Sequence, residues 1–577
     1  MTLDQTTILK EKRSATRTVS GAEAVILSLL AERVETVFGY PGGAIMPIYD
    51  ELYQYSSRLR HILVRHEQGA THAAQGFACV SGEVGVCFAT SGPGATNLVT
   101  GLADAQIDSN PIVCITGQVP SHLLGSDAFQ ETDVVSVTMP VTKWNFQVTR
   151  PEEIPGAIAK AFFIARTGRP GPVLLDITKD AQLGSLDFEY KPCRRLKSYF
   201  PYPKLQPGQV EKAAEIINQA EKPFMLVGHG VLLSEAQEEV KTLAERAGIP
   251  CASTLLGLSA IPVDHPYYTG MLGMHGNYAP NVKTNECDVL IAVGMRFDDR
   301  VTGNLQQYAR QAKVVHIEID KAEIHKNVYA HAPVVADAKQ ALRALLPLIE
   351  ERKHDAWLAE FRDTNQVEYD KIIQKELYPE GGQIRMGEVV RRISEKTKGE
   401  AILVTDVGQH QMVASRYYGF NRPHSNVTSG GLGTMGFALP AAFGAKVAVP
   451  EREVVAVIGD GGFQMTIQEL GTLMQEGTPV KVVILNNSYL GMVRQWQQLF
   501  FQKRYAETEM INPDFVAIAK GYRIEAERVQ DRPDLDSALD RMLASDGPFL
   551  LEVIVEKEDN VFPMVPSGAS VSDIRLE

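Results

Sequence analysis

The stretches VVAVIGDGGFQMTIQEL (residues 454–470) and VKVVILNNSYLGMV (residues 480–493) decide how this chain is read. The first opens on an unbroken apolar run, 454–458, and the second on the strand-like 480–485, apolar but for Lys481; both have the length and β-branched character of strands buried in a parallel sheet. The first run ends in Gly459-Asp460-Gly461-Gly462 and the second in Asn486-Asn487. Asp460 and Asn487 are 27 positions apart, room for a helix and a return strand. Both polar groups then lie at the carboxyl ends of neighbouring parallel strands, where open α/β sheets bind ligands. A carboxylate and an amide oxygen are hard ligands suited to Mg²⁺, which leaves its other positions to phosphate oxygens and water. Glycines let the backbone approach a phosphate, and a helix N-terminus favours negative charge. Gly-Asp-Gly alone is a common tight turn; its pairing with Asn-Asn after a second clean strand points to a metal-bound diphosphate.

The same rhythm extends in both directions. Apolar runs at 84–89, 112–116 and 173–177, bordered by Gly, Pro or Ser, read as further buried strands, and 223–227, 289–293 and 313–319, then 401–405, read as strands as well. The chain therefore reads as α/β, with three domains, each a mainly parallel sheet flanked by helices. Their expected spans are 20–190, 210–377 and 378–560. KPCRRLKSYFPYPKLQPGQ, residues 191–209, has no strand or helix period and reads as a linker. The charged segment 350–376 reads as helical, and Tyr378-Pro379-Glu380-Gly381-Gly382 as a second break. Residues 1–19 are expected to form a flexible tail and residues 561–577 a mobile C-terminal one. A duplication of whole domains is not visible in the sequence itself.

Composition sets the outer limits. A length of 577 residues allows three or four domains. Against 57 Lys and Arg stand 70 Asp and Glu, a formal net charge of −13, which disfavours a broad nucleic-acid or anionic-membrane surface. No apolar run reaches the roughly 20 residues of a membrane helix. The N-terminus lacks a secretory core, and the six cysteines show no C-x-x-C pair. A cytoplasmic protein that contacts neither nucleic acid nor membrane is the expectation.

Several single residues read two ways. Glu67, behind a strand-like run at 61–64, suits a helix N-terminus, where its charge answers the dipole. Arg296-Phe297-Asp298-Asp299-Arg300 is either a surface ion-pair network or a ligand cradle. Glu318 and Asp337 follow strand-like runs, as ribose-binding acids do, and Gly228-His229-Gly230 follows a strand without completing G-x-G-x-x-G. Met435 and Trp496 are ordinary core residues if nothing binds beside them.

Ten motifs in order narrow these choices: RHEQGA (65–70), SGPGATN (91–97), TGQVP (116–120), DAFQE (127–131), RPGPVLLDITKD (169–180), LGMHG (272–276), RFDDRVTG (296–303), VGQHQM (407–412), GGLGTMG (430–436) and GMVRQWQ (491–497). Together with the Asp460–Asn487 pair they make the chain, over nearly its whole length, resemble the catalytic subunit of the acetohydroxyacid synthase (acetolactate synthase) family. The resemblance implies a thiamine-diphosphate-binding fold: a pyrimidine-binding first domain, a flavin-binding central domain and a diphosphate-binding third domain. It also implies an activity, the decarboxylation of pyruvate and transfer of the two-carbon unit to a second 2-ketoacid. Pyruvate as acceptor yields 2-acetolactate and 2-ketobutyrate yields 2-aceto-2-hydroxybutyrate, at the start of branched-chain amino-acid synthesis. The implied cofactors are thiamine diphosphate, Mg²⁺ and FAD. The implied assembly is a homodimer or dimer of dimers with a separate small regulatory subunit, the C-terminal tail closing over the site.

The resemblance also carries residues across. Glu67 matches the glutamate that hydrogen-bonds the aminopyrimidine of the cofactor. Tyr40, Gly42, Gly43 and Ala44 match the loop beside its reactive carbon, and Gln130 a glutamine beside the same centre. Val407, Gly408, Gln409 and His410 match the loop over the diphosphate, joined there by Gly461 and Gly462. Gly433 and Met435 lie in the segment beneath the cofactor, Met435 being the wedge between its rings. Asp460, Asn487 and the Tyr489 carbonyl match the magnesium ligands. For FAD the matching set is Arg169, Gly228, Leu272, Gly273, Met274, His275, Arg296, Asp298, Glu318 and Asp337. Phe129 and Lys179 match an access channel; Met492, Val493 and Trp496 the pocket favouring 2-ketobutyrate; Arg300 the partner of the second substrate's carboxylate. One departure is Val413, where many members carry tryptophan, which bears on local packing. Two rivals share the scaffold, pyruvate oxidase and the flavin-free catabolic acetolactate synthase; RFDDRVTG favours the flavin-containing biosynthetic branch. A non-catalytic nucleotide-binding regulator is disfavoured by the intact Glu67 and Asp460–Asn487 pair.

Overall fold

The computed structural model describes residues 17–577, and its strands form three six-stranded sheets, all parallel. Strand β1 (Arg17–Ser20) stands apart from them, pairing antiparallel with β8 (Ser185–Phe188). The first sheet holds β2 (Thr36–Gly39), β3 (Arg60–Leu63), β4 (Gly85–Ala89), β5 (Ile112–Gln118), β6 (Trp144–Val148) and β7 (Val173–Thr178), in the order β3-β2-β4-β5-β7-β6. The central sheet holds β9 (Pro223–Val227), β10 (Cys251–Ser253), β11 (Tyr268–Met271), β12 (Val289–Val293), β13 (Lys313–Glu318) and β14 (Ala332–Val335), ordered β11-β10-β9-β12-β13-β14. The third holds β15 (Ile402–Thr405), β16 (Asn426–Thr428), β17 (Val454–Gly459), β18 (Lys481–Asn486), β19 (Glu525–Val529) and β20 (Phe549–Ile554), ordered β16-β15-β17-β18-β20-β19. Helices cover both faces, so central strands such as β4, β9, β12 and β17 are buried along their whole length, which is why they read as continuous apolar runs.

Two facts in these orders were invisible in the sequence. The first and third sheets repeat one topology, 2-1-3-4-6-5 when each is numbered from its own start. The central sheet instead has the order 3-2-1-4-5-6, that of dinucleotide-binding folds. The outer sheets turn back at their far edge, at β7-β6 and β20-β19, and all three sheets reverse near their first strand, between β2 and β4, between β9 and β12, and between β15 and β17. The crevice for a ligand lies at that point, beyond the carboxyl ends of the strands.

The first and third domains share one hydrophobic core. Their junction is the helix Glu67–Ser81 lying on the helix Ala438–Ala448. Both are rich in small residues, and the backbones touch: a Cβ on Gly76 would overlap the Ala441 carbonyl, and one on Gly444 the Ala73 carbonyl. Phe38 and Phe443 meet edge to face beside this crossing, with ring centroids 6.2 Å apart.

Boundaries differ from expectation at three places. Residues 17–19, assigned to a tail, belong to β1, because pairing with β8 satisfies their backbone; residues 1–16 lie outside the described residues. The helix Pro207–Asn218 begins inside the presumed linker. The C-terminal segment is not a free tail: Val561, Met564, Val565, Val571 and Ile574 are buried. Val561 exchanges hydrogen bonds with the Gln495 side chain at 2.9 and 3.1 Å, Val565 N donates to Met274 O at 2.8 Å, and Asn304 N donates to Ala569 O at 2.9 Å. At its root Arg416, fully buried, pairs with the equally buried Glu368 and donates to the Phe562 carbonyl. Val413, at the departure from the family pattern, is buried in the third-domain core beside Ala414. Among the described residues no helix is long and apolar enough to cross a membrane, and all six cysteines are free thiols.

The crossing of the two glycine-bearing helices is testable. Gly444→Ala adds one methyl group against a carbonyl oxygen that cannot yield without moving a helix, and overpacking of this kind costs about 1–3 kcal/mol. Thermal unfolding of the variant should shift down by several degrees; an unchanged midpoint would show that the helices part freely.

Candidate active site

At the third-domain reversal point, β15 runs into Asp406-Val407-Gly408 and β17 into Asp460. The Asp406 carboxylate is buried and accepts the N–H groups of Val407, Gly436 and Ala438 at 2.9 to 3.0 Å, so it knots the strand end to the segment carrying Met435. Gly462 is a glycine because that carboxylate fills the space a Cβ would need; on Gly461 a Cβ would lie 2.7 Å from the Leu490 side chain. At both glycines, read from sequence as room for a phosphate, the space of a Cβ is taken by a neighbouring side chain. His410 is buried beneath Gly459, its Nε2 without a partner, and burial pushes its imidazole down to about 3, so it is neutral.

Asp460 opens the helix Asp460–Met465 and is almost wholly buried. Burial pushes its carboxyl up to about 6, against the Asn512 amide and the N–H groups of Gly461 and Ser488, which favour the ionised form. Asn512 Nδ2 donates to Asp460 Oδ2 at 2.6 Å and to Asn486 Oδ1 at 3.0 Å, bridging the two strand ends. The next residues turn sharply, with Ser488 at φ 54°, and Tyr489 N donates to Asn487 Oδ1 at 3.2 Å. Asn487 Nδ2 donates to Gln409 Oε1 at 3.3 Å. Asp460, Asn487, Tyr489 and Gln409 therefore gather at one place. Among the described residues no three His, Cys, Asp or Glu side chains converge as a metal cage. This donor set of one carboxylate, one amide and a backbone carbonyl suits a hard cation that takes its other ligands from a diphosphate.

The first-domain reversal point carries the other group of residues. Tyr40, Gly42, Gly43 and Ala44 follow β2; Ala44 N donates to Thr90 Oγ1 at 3.3 Å, and a Cβ on Gly42 would lie 2.5 Å from the Thr90 side chain. Glu67 starts its helix behind the N-cap His66 and is 8% exposed. Its Oε2 accepts from Asn97 Nδ2 at 2.9 Å, and its other oxygen faces Gly94. Gln130 has a left-handed backbone, φ 59°, folded against Gly92. Around Glu67 this edge lies open: Tyr40 is 41% and Phe129 87% exposed, with Lys179 half-buried nearby in sequence to β7.

Between the three domains lies a cavity of about 1040 Å³. Every flavin candidate except Gly228 lines it: Arg169, Leu272, Gly273, Met274, His275, Arg296, Asp298, Glu318 and Asp337. Gly228 packs against Gly294 and Met295 instead, while its neighbours His229 and Gly230 reach the cavity. Several of these residues also have structural partners, and the 296–300 run contributes only a loose Arg300–Asp299 pair at 3.8 Å to any ion-pair network. Asp298 caps the turn Asp299–Thr302 and Asp337 caps the helix Ala338–Leu345. Arg169 donates to Ser109 Oγ at 2.9 Å and to the Ile107 carbonyl at 3.1 Å. Burial raises the Glu318 carboxyl to about 7 and, with Arg416 and Arg300 nearby, lowers His275 to about 4, leaving its buried Nδ1 without a partner. An unpaired nitrogen, two arginines and two acids after β13 and β14 around this volume suit a phosphate- and ribose-bearing ligand.

The same cavity is lined by Val407, Gly408, Gly433 and Met435 from the diphosphate end and by Arg300, Met492, Val493 and Trp496. The helix Gly491–Phe500 explains the last three: Arg494 and Gln495 are buried in the protein body, so the opposite face, with Met492, Val493 and Trp496, is turned to the cavity. Arg300 keeps its guanidinium in the open, 3.4 Å from Met274 Sδ. Glu67, Tyr40, Gly42, Gly43, Ala44, Phe129, Gln130 and Lys179 do not line it, nor do Gln409, His410, Asp460, Gly461, Gly462, Asn487 and Tyr489. No residue of the C-terminal segment lines it either; that segment braces the wall behind Met274. Asn97, Asp406 and Asn512 were missed from sequence. Each bonds a group distant in the chain, and only Asn97 stood inside a quoted motif.

Three family models match in chain order: the N-terminal TPP binding domain of thiamine pyrophosphate enzymes over residues 19–137, their central domain over 210–345 and their C-terminal TPP binding domain over 406–553. Among curated proteins, the chain is 47% identical over 558 residues to the acetolactate synthase isozyme 2 large subunit of Escherichia coli, covering 96% of this chain and 99% of that one. It is 46% identical over 565 residues to a probable acetolactate synthase large subunit of Methanocaldococcus jannaschii, covering 96% and 95%. Against the acetolactate synthase large subunit of Corynebacterium glutamicum it is 46% identical over 583 residues, covering 99% and 92%. With the third-domain donor set and the matched domains in agreement, the chain belongs to the acetolactate synthase large-subunit family of thiamine-pyrophosphate-dependent transferases.

Proposed function

We propose that this chain catalyses the decarboxylation of pyruvate and the transfer of the resulting two-carbon unit to a second 2-ketoacid, pyruvate or 2-ketobutyrate, in branched-chain amino-acid synthesis. The observation that carries this reading is that the Met435 segment of the diphosphate site lines the same cavity as Arg300 and Trp496. A cofactor end and an acceptor end thereby face the same space. Thiamine diphosphate, when bound, supplies the nucleophilic carbon and the electron sink. Glu67, oriented by Asn97, holds and releases a proton at the aminopyrimidine nitrogen, a task suited to a mostly buried carboxyl group. Asp460, Asn487 and the Tyr489 carbonyl would hold Mg²⁺ on the diphosphate, and Gln409 orients Asn487. Met435 would offer the cofactor an apolar support. Arg300 binds the acceptor's carboxylate with its planar fork, and Met492, Val493 and Trp496 bound the space for its alkyl group.

FAD is the reading for the central cavity, where Arg169 and Arg296 would supply positive charge for its phosphates and Glu318 and Asp337 acceptors for its hydroxyl groups. The reaction moves no net electrons, so the flavin is structural. Glu67, Tyr40 and Gln130 lie outside the cavity that contains Met435, on an edge where apolar side chains stand open. Two copies that close this edge over each other's third domain, where Leu432, Met465 and Val493 are also exposed, would complete both sites and bury these groups. We read the enzyme as a homodimer or dimer of dimers working in the cytoplasm. The large-subunit names of its relatives support a smaller regulatory partner.

A colorimetric acetolactate assay tests the whole reading. Omitting thiamine diphosphate, Mg²⁺ or FAD should each abolish product; pyruvate consumed with reduction of an acceptor and no acetolactate would overturn it in favour of an oxidase. Glu67→Gln should lower the rate by about 10²- to 10⁴-fold, the usual worth of a positioned proton-transfer group, with cofactor affinity little changed; wild-type rates would remove Glu67 from its role. Trp496→Leu should cut the preference for 2-ketobutyrate over pyruvate by about tenfold, in the range expected for reshaping an apolar pocket, measured by product ratio at equal acceptor concentrations.

A further inference from the structure

The helix Val99–Asp108 of the first domain carries two acids one turn apart, Asp104 and Asp108, both buried and neither needed by the chemistry above. Both point at a loop of the third domain. Asp104 Oδ1 accepts from Ser429 Oγ at 2.5 Å and from Thr434 Oγ1 at 3.2 Å. Asp108 accepts the N–H of Gly430 at 2.8 Å through one oxygen and that of Gly431 at 2.7 Å through the other. Ser429 Oγ in turn accepts from Thr434 N at 2.8 Å, closing the loop on itself. Gly431 has no room for a side chain, since a Cβ there would lie 2.8 Å from Asp108 Oδ1. The loop contains Gly430, Gly431, Gly433 and Gly436, the last two at φ 71° and 87°, so left alone its backbone would be free to wander. It carries Met435 and ends at Gly436, whose N–H donates to Asp406.

The same turn of the acid-bearing helix faces the central cavity. Ile107, Asp108 and Ser109 line it, as do Gly430, Gly431 and Met435. Arg169 is seated on the Ile107 carbonyl and the Ser109 hydroxyl, and His229 Nδ1 donates to the Asp108 carbonyl at 2.9 Å. One short piece of chain thus receives the central domain on its backbone and the third-domain loop on its side chains.

We propose that Asp104 and Asp108 are positioning residues that couple the two cofactor sites: by clamping the loop from Ser429 to Gly436 they make flavin in the central cavity tighten the binding of thiamine diphosphate above Met435, and the reverse. The inference rests on the reading that this cavity holds flavin. The physical route is ordering. A ligand pressed against Arg169 and the Ile107–Ser109 turn steadies the acids, the acids steady the glycine-rich loop, and a second ligand meeting an already ordered loop loses less conformational freedom on binding. Coupling between two sites must be reciprocal, so either cofactor can serve as the probe.

The test uses the full chain, stripped of cofactors and kept at fixed Mg²⁺. Thiamine diphosphate affinity is followed by quenching of tryptophan fluorescence with and without saturating FAD, and FAD affinity by its own absorbance and fluorescence. In the parent protein FAD should tighten thiamine diphosphate binding by about tenfold, within the 5- to 150-fold span usual for coupled sites. In Asp108→Asn both affinities should weaken and the effect of FAD fall below about twofold. Ser429→Ala keeps both acids and removes only the hydroxyl between loop and helix; its melting curve should match the parent's while the coupling shrinks, a change that loss of general stability would not produce. This milder variant decides the matter if Asp108→Asn does not fold. A parent protein that binds no FAD overturns the flavin reading and the inference with it. A parent that binds FAD while its thiamine diphosphate affinity stays unchanged overturns the coupling alone. Full coupling retained in Ser429→Ala and Asp108→Asn overturns the role given to the clamp.

Discussion

Two helices whose backbones touch set everything else in this molecule. The helix that begins with Glu67 and the helix that follows Met435 meet through Gly76 and Gly444, with no side-chain layer between them at those points. Such contact is short-ranged and rigid, because packed backbones cannot rotate away as side chains can. It joins two domains of the same topology into one core and so fixes the relation between the end of the protein that offers Glu67 and the end that offers Asp460 and Met435. The central domain is then added at the side, where its own reversal point opens toward both.

The interior also revises the meaning of the acidic balance. A net charge of −13 suggests acids spread over the solvated surface. Several of the acids are instead buried and engaged with backbone N–H groups: Asp406 with Val407, Gly436 and Ala438, Asp108 with Gly430 and Gly431, and Glu318 with Asp320. Burial raises each of these carboxyls, and the amide donors pull the other way. Loops rich in glycine offer many free N–H groups and little side-chain packing, so a carboxylate that accepts two or three of them is an effective fastener.

Much of the fold was legible in the sequence because parallel strands buried on both faces are uniformly apolar. The runs at 223–227 and 289–293 coincide with β9 and β12, and 454–458 falls one residue short of β17. The Asp460–Asn487 spacing was legible for the same reason: strand ends at the reversal point are marked by an abrupt change to polar and glycine residues. Helix ends and linkers were less legible. Pro207 starts a helix in a stretch that looked like linker, since proline suits a first helical turn as well as a break. The C-terminal segment looked mobile because its apolar residues are spaced irregularly, yet they fit hollows on two domains.

By itself, then, the sequence determined the α/β class, the three-domain division and the local chemistry of each motif, since all of these are written in runs of neighbouring residues. Tertiary structure alone decided the matching topology of the outer sheets, the orienting roles of Asn97 and Asn512, and the clamp of Asp104 and Asp108 on the loop around Ser429. Those depend on which strand ends and loops are brought together, and contacts between residues tens to hundreds of positions apart leave no periodic trace in the chain that makes them.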